Sequence, residues 1–187
     1  MKFSAIEKNH LLKAWLAISL AFAIAFGGLR FDFGFIITFI ISGITVGFGF
    51  LLHEIAHKFV AQKFGCFAEF RADMKMLLFA ILISFSGFIF AAPGAVMISG
   101  RINDRKNGII SAAGPVTNIV LALFFFNFTL LNNSFLATMG FYGTRINAWL
   151  ALFNMIPLGN LDGSKVLRWD KKYFALIVVV ALIVLFL

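Results

Sequence analysis

His53, Glu54 and His57 stand in the run His-Glu-Ile-Ala-His, inside an apolar stretch that begins near Phe35. Two histidines at i and i+4 project from one face of a helix, so both imidazoles can reach one ion, while the Glu after the first can address a water at that ion. An ionisable group at bilayer depth costs roughly 2.5 to 3.5 kcal/mol on insertion scales, so such a cluster needs a compensating partner. A divalent metal is that partner. The competing reading is a pair of hydrogen-bonded core histidines.

Zinc takes a third protein ligand and leaves a position for water, so a carboxylate or histidine must come from elsewhere in the chain. The candidates are Glu69, Asp73, Asp104 and Asp162. Glu69 and Asp73 fall on the polar side of a strictly alternating run, 68 to 76, which is a strand signature. Asp104 sits in the hydrophilic run 101 to 107, read as a solvated loop. Asp162 closes Asn154-Met155-Ile156-Pro157-Leu158-Gly159-Asn160-Leu161-Asp162-Gly163, where Pro157 removes a backbone donor and Gly159 relaxes the chain. Such an interruption can aim a carboxylate inward, or can simply end a helix. His10, in the polar N-terminus, is expected to be solvated.

Three motifs in order, His53 to His57, then Gly114-Pro115-Val116-Thr117-Asn118, then Asn154 to Gly163, resemble the site-2 proteases, the intramembrane zinc metalloproteases. The stretch Phe90-Ala91-Ala92-Pro93-Gly94-Ala95-Val96 resembles archaeal members, and the likeness covers roughly residues 35 to 172. It implies that His53, His57 and Asp162 hold one catalytic Zn²⁺ and that Glu54 activates a water at it. It also implies that Asn154 handles substrate near the metal, although a helix-to-helix hydrogen bond suits that Asn equally. For Asn118, packing is preferred over catalysis, with Pro115 in the first turn of a helix. The substrate implied is a membrane-spanning helix of another protein, which must be unwound and held extended before attack. The strand 68 to 76, or the segment around Pro93, could hold it by strand addition. With 187 residues there is no room for a PDZ or cystathionine-synthase-like domain, so regulation through those is not expected.

What positions these residues is a membrane fold. With 61% hydrophobic residues, 13% charged and a mean hydropathy of +0.98, the chain lies far from the roughly 25% charged residues usual in soluble domains. The net charge of +8 sits at the ends of apolar segments rather than in one basic stripe, which argues for membrane orientation and against nucleic acid. A single cysteine, Cys66, excludes an intrachain disulfide and a cysteine-rich zinc site. The 26 Phe residues are read as lipid-facing and core packing rather than as a substrate-reading surface.

Spans are expected at 11 to 29, 35 to 57, 109 to 131, and a shorter one at 145 to 157, with a last apolar run at 173 to 187. The first run, despite Ala23-Ile24-Ala25, is read as a retained span rather than a cleaved signal. The segment 77 to 98 is long enough to cross but holds Gly87, Pro93 and Gly94. If it dips in and returns, the basic residues of the N-terminus, of 58 to 106 and of 165 to 172 share one cytoplasmic side, leaving Arg30 and Arg145 outside. The expected fold is therefore mainly α, a polytopic helix bundle of about five to six transmembrane helices with a small membrane-associated β segment around 66 to 99. It forms one domain, 1 to 187, in a multi-pass cell-membrane protein with its N-terminus and active-site side cytoplasmic. Its partners are the lipid bilayer and a membrane-spanning substrate; oligomeric state is left open. A metal transporter, or a membrane zinc-binding protein without proteolytic activity, is the alternative, but a transporter gains nothing from a Glu directly after the first His.

Overall fold

A computed structural model describes residues 2–89 and 94–187. The chain is mainly helical, with one two-stranded sheet: α1 (Ala5–Gly27), α2 (Phe33–Ser42), a π-turn (Gly43–Gly47), α3 (Phe48–Lys63), β1 (Phe67–Ala72), α4 (Met74–Ser84), β2 (Gly94–Ser99), α5 (Asp104–Thr129), α6 (Ser134–Asn154), α7 (Asp162–Trp169) and α8 (Lys171–Leu185). Three helical runs among the described residues are long and apolar enough to cross a membrane: Ala5–Gly27, Phe33–Lys63 and Asp104–Thr129. The archaeal-like stretch and the proposed pairing segment at Pro93 fall partly at 90–93, outside the described residues.

Short polar side chains set most helix starts, as expected where backbone N–H groups lack intrahelical partners. Ser4 accepts from Glu7 N, Asp32 from Phe35 N, Asn103 from Lys106 N, Asn133 from Leu136 N and Asp170 from Lys172 N, at 2.7 to 3.0 Å. The same chemistry shortens the expected strand. Alternation continues to Met76, but Asp73 accepts from Lys75 N and Met76 N and starts α4, so β1 ends at Ala72. Helix α4 has 11 residues, about 16 Å at 1.5 Å per residue, short of a bilayer core. The chain then returns to β1 through β2.

Contacts divide the chain into two compact units: Met1–Leu51 with Glu69–Met97, and Leu52–Ala68 with Ile98–Leu187. In the first, Ala14, Phe70 and Leu77 form a buried cluster with Phe50 and Val96 against it. The indole of Trp15 donates to Gly43 O at 3.0 Å and so caps a carbonyl of the π-turn. Helix α1 also grips β1. Glu7, buried, accepts from Phe70 N at 2.9 Å, and His10 Nδ1 accepts from Ala72 N at 3.1 Å. His10 is thus a strand partner rather than a solvated side chain, because alternate N–H groups of β1 face α1.

In the second unit, α5 and α6 run antiparallel with small residues between them, the usual route to close approach of membrane helices. A Cβ at Gly143 would strike the Phe125 ring, and one at Gly140 would meet the backbone near Phe125 and Thr129. Below this crossing Ile119, Ala122, Ala148, Ala151 and Met155 pack with Val166, Ile177, Ala181 and Val184 of α7 and α8. Pro115 lies well inside α5, not in its first turn, since Asn103 caps that helix twelve residues earlier.

Candidate metal centre

All the atoms of the centre belong to the second unit. His53 and His57, one turn apart on α3, present Nε2 atoms 2.9 Å from each other. The interruption after α6 brings in the third group. Helix α6 stops at Asn154, Gly159 takes φ +55°, and α7 restarts at Asp162. Gly163 lies so close to the Met155 backbone that any Cβ there would collide with it, which fixes the first turn of α7 against the end of α6. Asp162 Oδ2 then lies 3.3 Å from His53 Nε2 and 3.2 Å from His57 Nε2. Its Oδ1 turns toward Lys165 Nζ, at 3.9 Å.

The other ring nitrogens are occupied. His53 Nδ1 lies 2.6 Å from Asn118 Oδ1, and His57 Nδ1 lies 2.8 Å from Ile110 O. Each acceptor calls for a proton on Nδ1, leaving a lone pair on each Nε2. Two imidazole lone pairs and a carboxylate oxygen therefore converge, all buried, and a cation between them would satisfy all three. With metal–ligand bonds of about 2.0 to 2.1 Å, a tetrahedral zinc site has ligand-to-ligand edges of about 3.3 Å, close to the two edges to Asp162, while the two histidine nitrogens lie nearer at 2.9 Å. Gly114 lines the site: a Cβ on it would fall against Nε2 of both histidines. His53, His57 and Asp162 thus form a group able to bind a metal, and a two-His, one-carboxylate donor set suits zinc.

Glu54 is buried on α3 beside His53. Asn154 is the last residue of α6, and its Nδ2 donates back to Leu150 O at 3.0 Å. The remaining acidic candidates have local tasks. Glu69 pairs with Arg71 at 2.7 Å and accepts from the Ser4 hydroxyl, Asp73 caps α4, and Asp104 lies in the first turn of α5. Sequence reasoning missed the direct contact of Asn118 with His53. It also passed over Asn147, whose Oδ1 accepts from Asn118 Nδ2 at 3.0 Å. An Asn inside an apolar helix was the available signal for both. The Ile110 carbonyl left none.

Comparison with known proteins gives three relatives. A Methanocaldococcus jannaschii protein provisionally named zinc metalloprotease MJ0611 is 42% identical over 146 residues, 76% of this chain and 76% of its own length. Bacillus subtilis YwhC, also provisionally named a zinc metalloprotease, is 31% identical over 145 residues, 67% of this chain and 66% of its own. Zinc metalloprotease MJ0392 of M. jannaschii is 28% identical over 131 residues, 66% of this chain and 32% of its own. No family model matches the chain, and no solved structure does.

Proposed function

Because the chain belongs to a family of zinc metalloproteases, we propose that it is an intramembrane zinc endopeptidase of the site-2 protease kind, hydrolysing peptide bonds in or near a transmembrane helix of a protein substrate. One observation carries the reading: three buried lone-pair donors face one another, two of them on an apolar, span-length helix, with a carboxylate next to the first. A soluble-type zincin tethered by one helix does not fit, because the motif itself lies within Phe33–Lys63.

His53, His57 and Asp162 would hold the zinc, which supplies Lewis acidity toward water and toward a peptide carbonyl. The Glu54 carboxylate takes a proton from the attacking water and returns it to the nitrogen of the departing amine. The buried setting strengthens these electrostatic interactions. Asn154 has two N–H groups on Nδ2, of which one is committed to Leu150 O, so the other is available to a substrate carbonyl. His53 and His57 keep their rings fixed through Asn118 and Ile110, so neither has to reorient during turnover.

A substrate helix hides its amides in its own hydrogen bonds, and strand addition would expose them. Of the two strands, β2 is assigned this role. One edge of β1 pairs with β2, while Phe70 N and Ala72 N on the other are taken by Glu7 and His10. On this reading the protein is multi-pass in the cell membrane, with its N-terminus and the metal-binding end of α3 cytoplasmic.

The deciding experiment is incubation of purified, zinc-assayed protein with single-span membrane proteins, with and without a chelator. Chelator-sensitive cleavage within or beside the span is the expected result. Zinc-loaded protein that moves metal across vesicles and cleaves none of them would favour the transporter alternative.

A further inference from the structure

The histidine ligands are oriented by different means. His57 faces a backbone carbonyl, Ile110 O, which can only accept. His53 faces a side-chain amide, Asn118, which can present either an oxygen or an NH₂ group. Something must fix which end it shows.

The structure supplies a fixed point two residues away. Asn147 Nδ2 lies 2.9 Å from Gly143 O, a carbonyl that can only accept, so the NH₂ end of Asn147 must face it. Its Oδ1 is then turned to Asn118 and accepts from Asn118 Nδ2 at 3.0 Å. That in turn leaves Asn118 Oδ1 toward His53, 2.6 Å from Nδ1. The ring must carry its proton on Nδ1, and its Nε2 lone pair points into the centre. Reversing Asn147 would set oxygen against the Gly143 carbonyl. Reversing Asn118 would offer NH₂ to Nδ1 and move the ring proton to Nε2, where it would block ligation. Asn118 and Asn147 are both fully buried, so bulk water does not compete for these bonds.

We propose that Asn147 is a positioning residue that selects the metal-binding tautomer of His53 through Asn118, transmitting the fixed sense of the Gly143 carbonyl to the ligand. The inference rests on the reading that this centre holds zinc. A merely structural Asn147 would tie α6 to α5 and leave the tautomer to other groups.

The test is a double-mutant cycle read as zinc affinity, by competition with a chromophoric chelator, on full-length protein in detergent. Outer-shell partners of metal ligands typically change affinity by about 10- to 100-fold. Asn147→Leu and Asn118→Ala should each weaken zinc binding by about that factor. The double variant should be no weaker than Asn118→Ala alone, because Asn147 acts through Asn118. Multiplying losses would overturn the proposal. Nitrogen-15 NMR of the histidine rings in zinc-loaded wild-type protein gives a second readout that needs no variant to fold. His53 should show a protonated Nδ1 and a metal-bound Nε2, and ligation through Nδ1 would overturn the proposal. Wild-type protein that binds no zinc would sink the metal reading itself. Tight zinc with unchanged affinity in a folded Asn147→Leu would sink only this one.

Discussion

The Nε2 atom of His57 lies 3.2 Å from Oδ2 of Asp162, across the gap between α3 and the first turn of α7. This approach joins the first segment of the second unit to the chain that follows α6, so the centre depends on α6 stopping where it does. Asp162→Ala should reduce bound zinc from about one equivalent to a trace, measured by plasma mass spectrometry on purified protein. Loss of one of three ligands removes both a bond and the charge that balances the ion. Retained zinc with intact cleavage would contradict the ligand set.

Glu54→Gln separates chemistry from binding. The amide keeps nearly the same shape but cannot take a proton, so zinc content should match wild type while cleavage falls by at least about 100-fold, the lower end of general-base contributions. A transporter carrying the same substitution would keep its flux, which vesicle uptake would reveal.

Gly114→Ala tests the closeness of α5 to the ligands. The added methyl would meet Nε2 of both histidines and displace one of the rings or the helix. Overpacking of this kind costs about 1 to 3 kcal/mol, so both the melting temperature and zinc affinity should drop. An unchanged melting temperature and full zinc content would show that α5 can yield there.

Substrate pairing at β2 predicts that Pro in place of Val96 or Met97, neighbours whose N–H groups face opposite edges, lowers cleavage while leaving zinc bound. Proline removes a backbone donor needed by one edge or the other. The control is Glu7→Gln, which keeps an acceptor for Phe70 N and should leave cleavage near wild type. Cleavage that survives both β2 substitutions would remove strand addition from the mechanism.

Orientation can be tested with cysteine reagents, but not through Cys66. That thiol is buried, only 7% exposed, so its silence to an impermeant reagent would not distinguish the two sides. In a Cys66→Ser background, Asn132→Cys should label from outside intact cells, and Arg101→Cys should label only after permeabilisation. Both positions are exposed. The reverse pattern would invert the proposed topology.

The sequence carried the centre further than it carried the fold around it. The spacing of His53 and His57 holds its meaning on any helix, and Pro157 with Gly159 marks an interruption whatever surrounds it. Ambiguity arose where one residue fits two local structures. Asp73 continues an alternating strand and also caps a helix, and the cap prevailed. Pro115 suits a first turn, yet it lies deep in α5 because Asn103 already supplies the cap. The contacts of Asn118 with His53 and Asn147 depend on helix register, set by the Gly143 and Phe125 crossing, which a linear pattern does not encode.

The hold of Glu7 and His10 on Phe70 N and Ala72 N has a consequence for solubility in detergent. A chain shortened to begin after α1 would bare two alternate amides on one edge of β1, a template for pairing between molecules. Such a fragment would keep His53, His57 and Asp162 and still be expected to associate into higher-order species, with the leading helix acting as the guard against self-assembly.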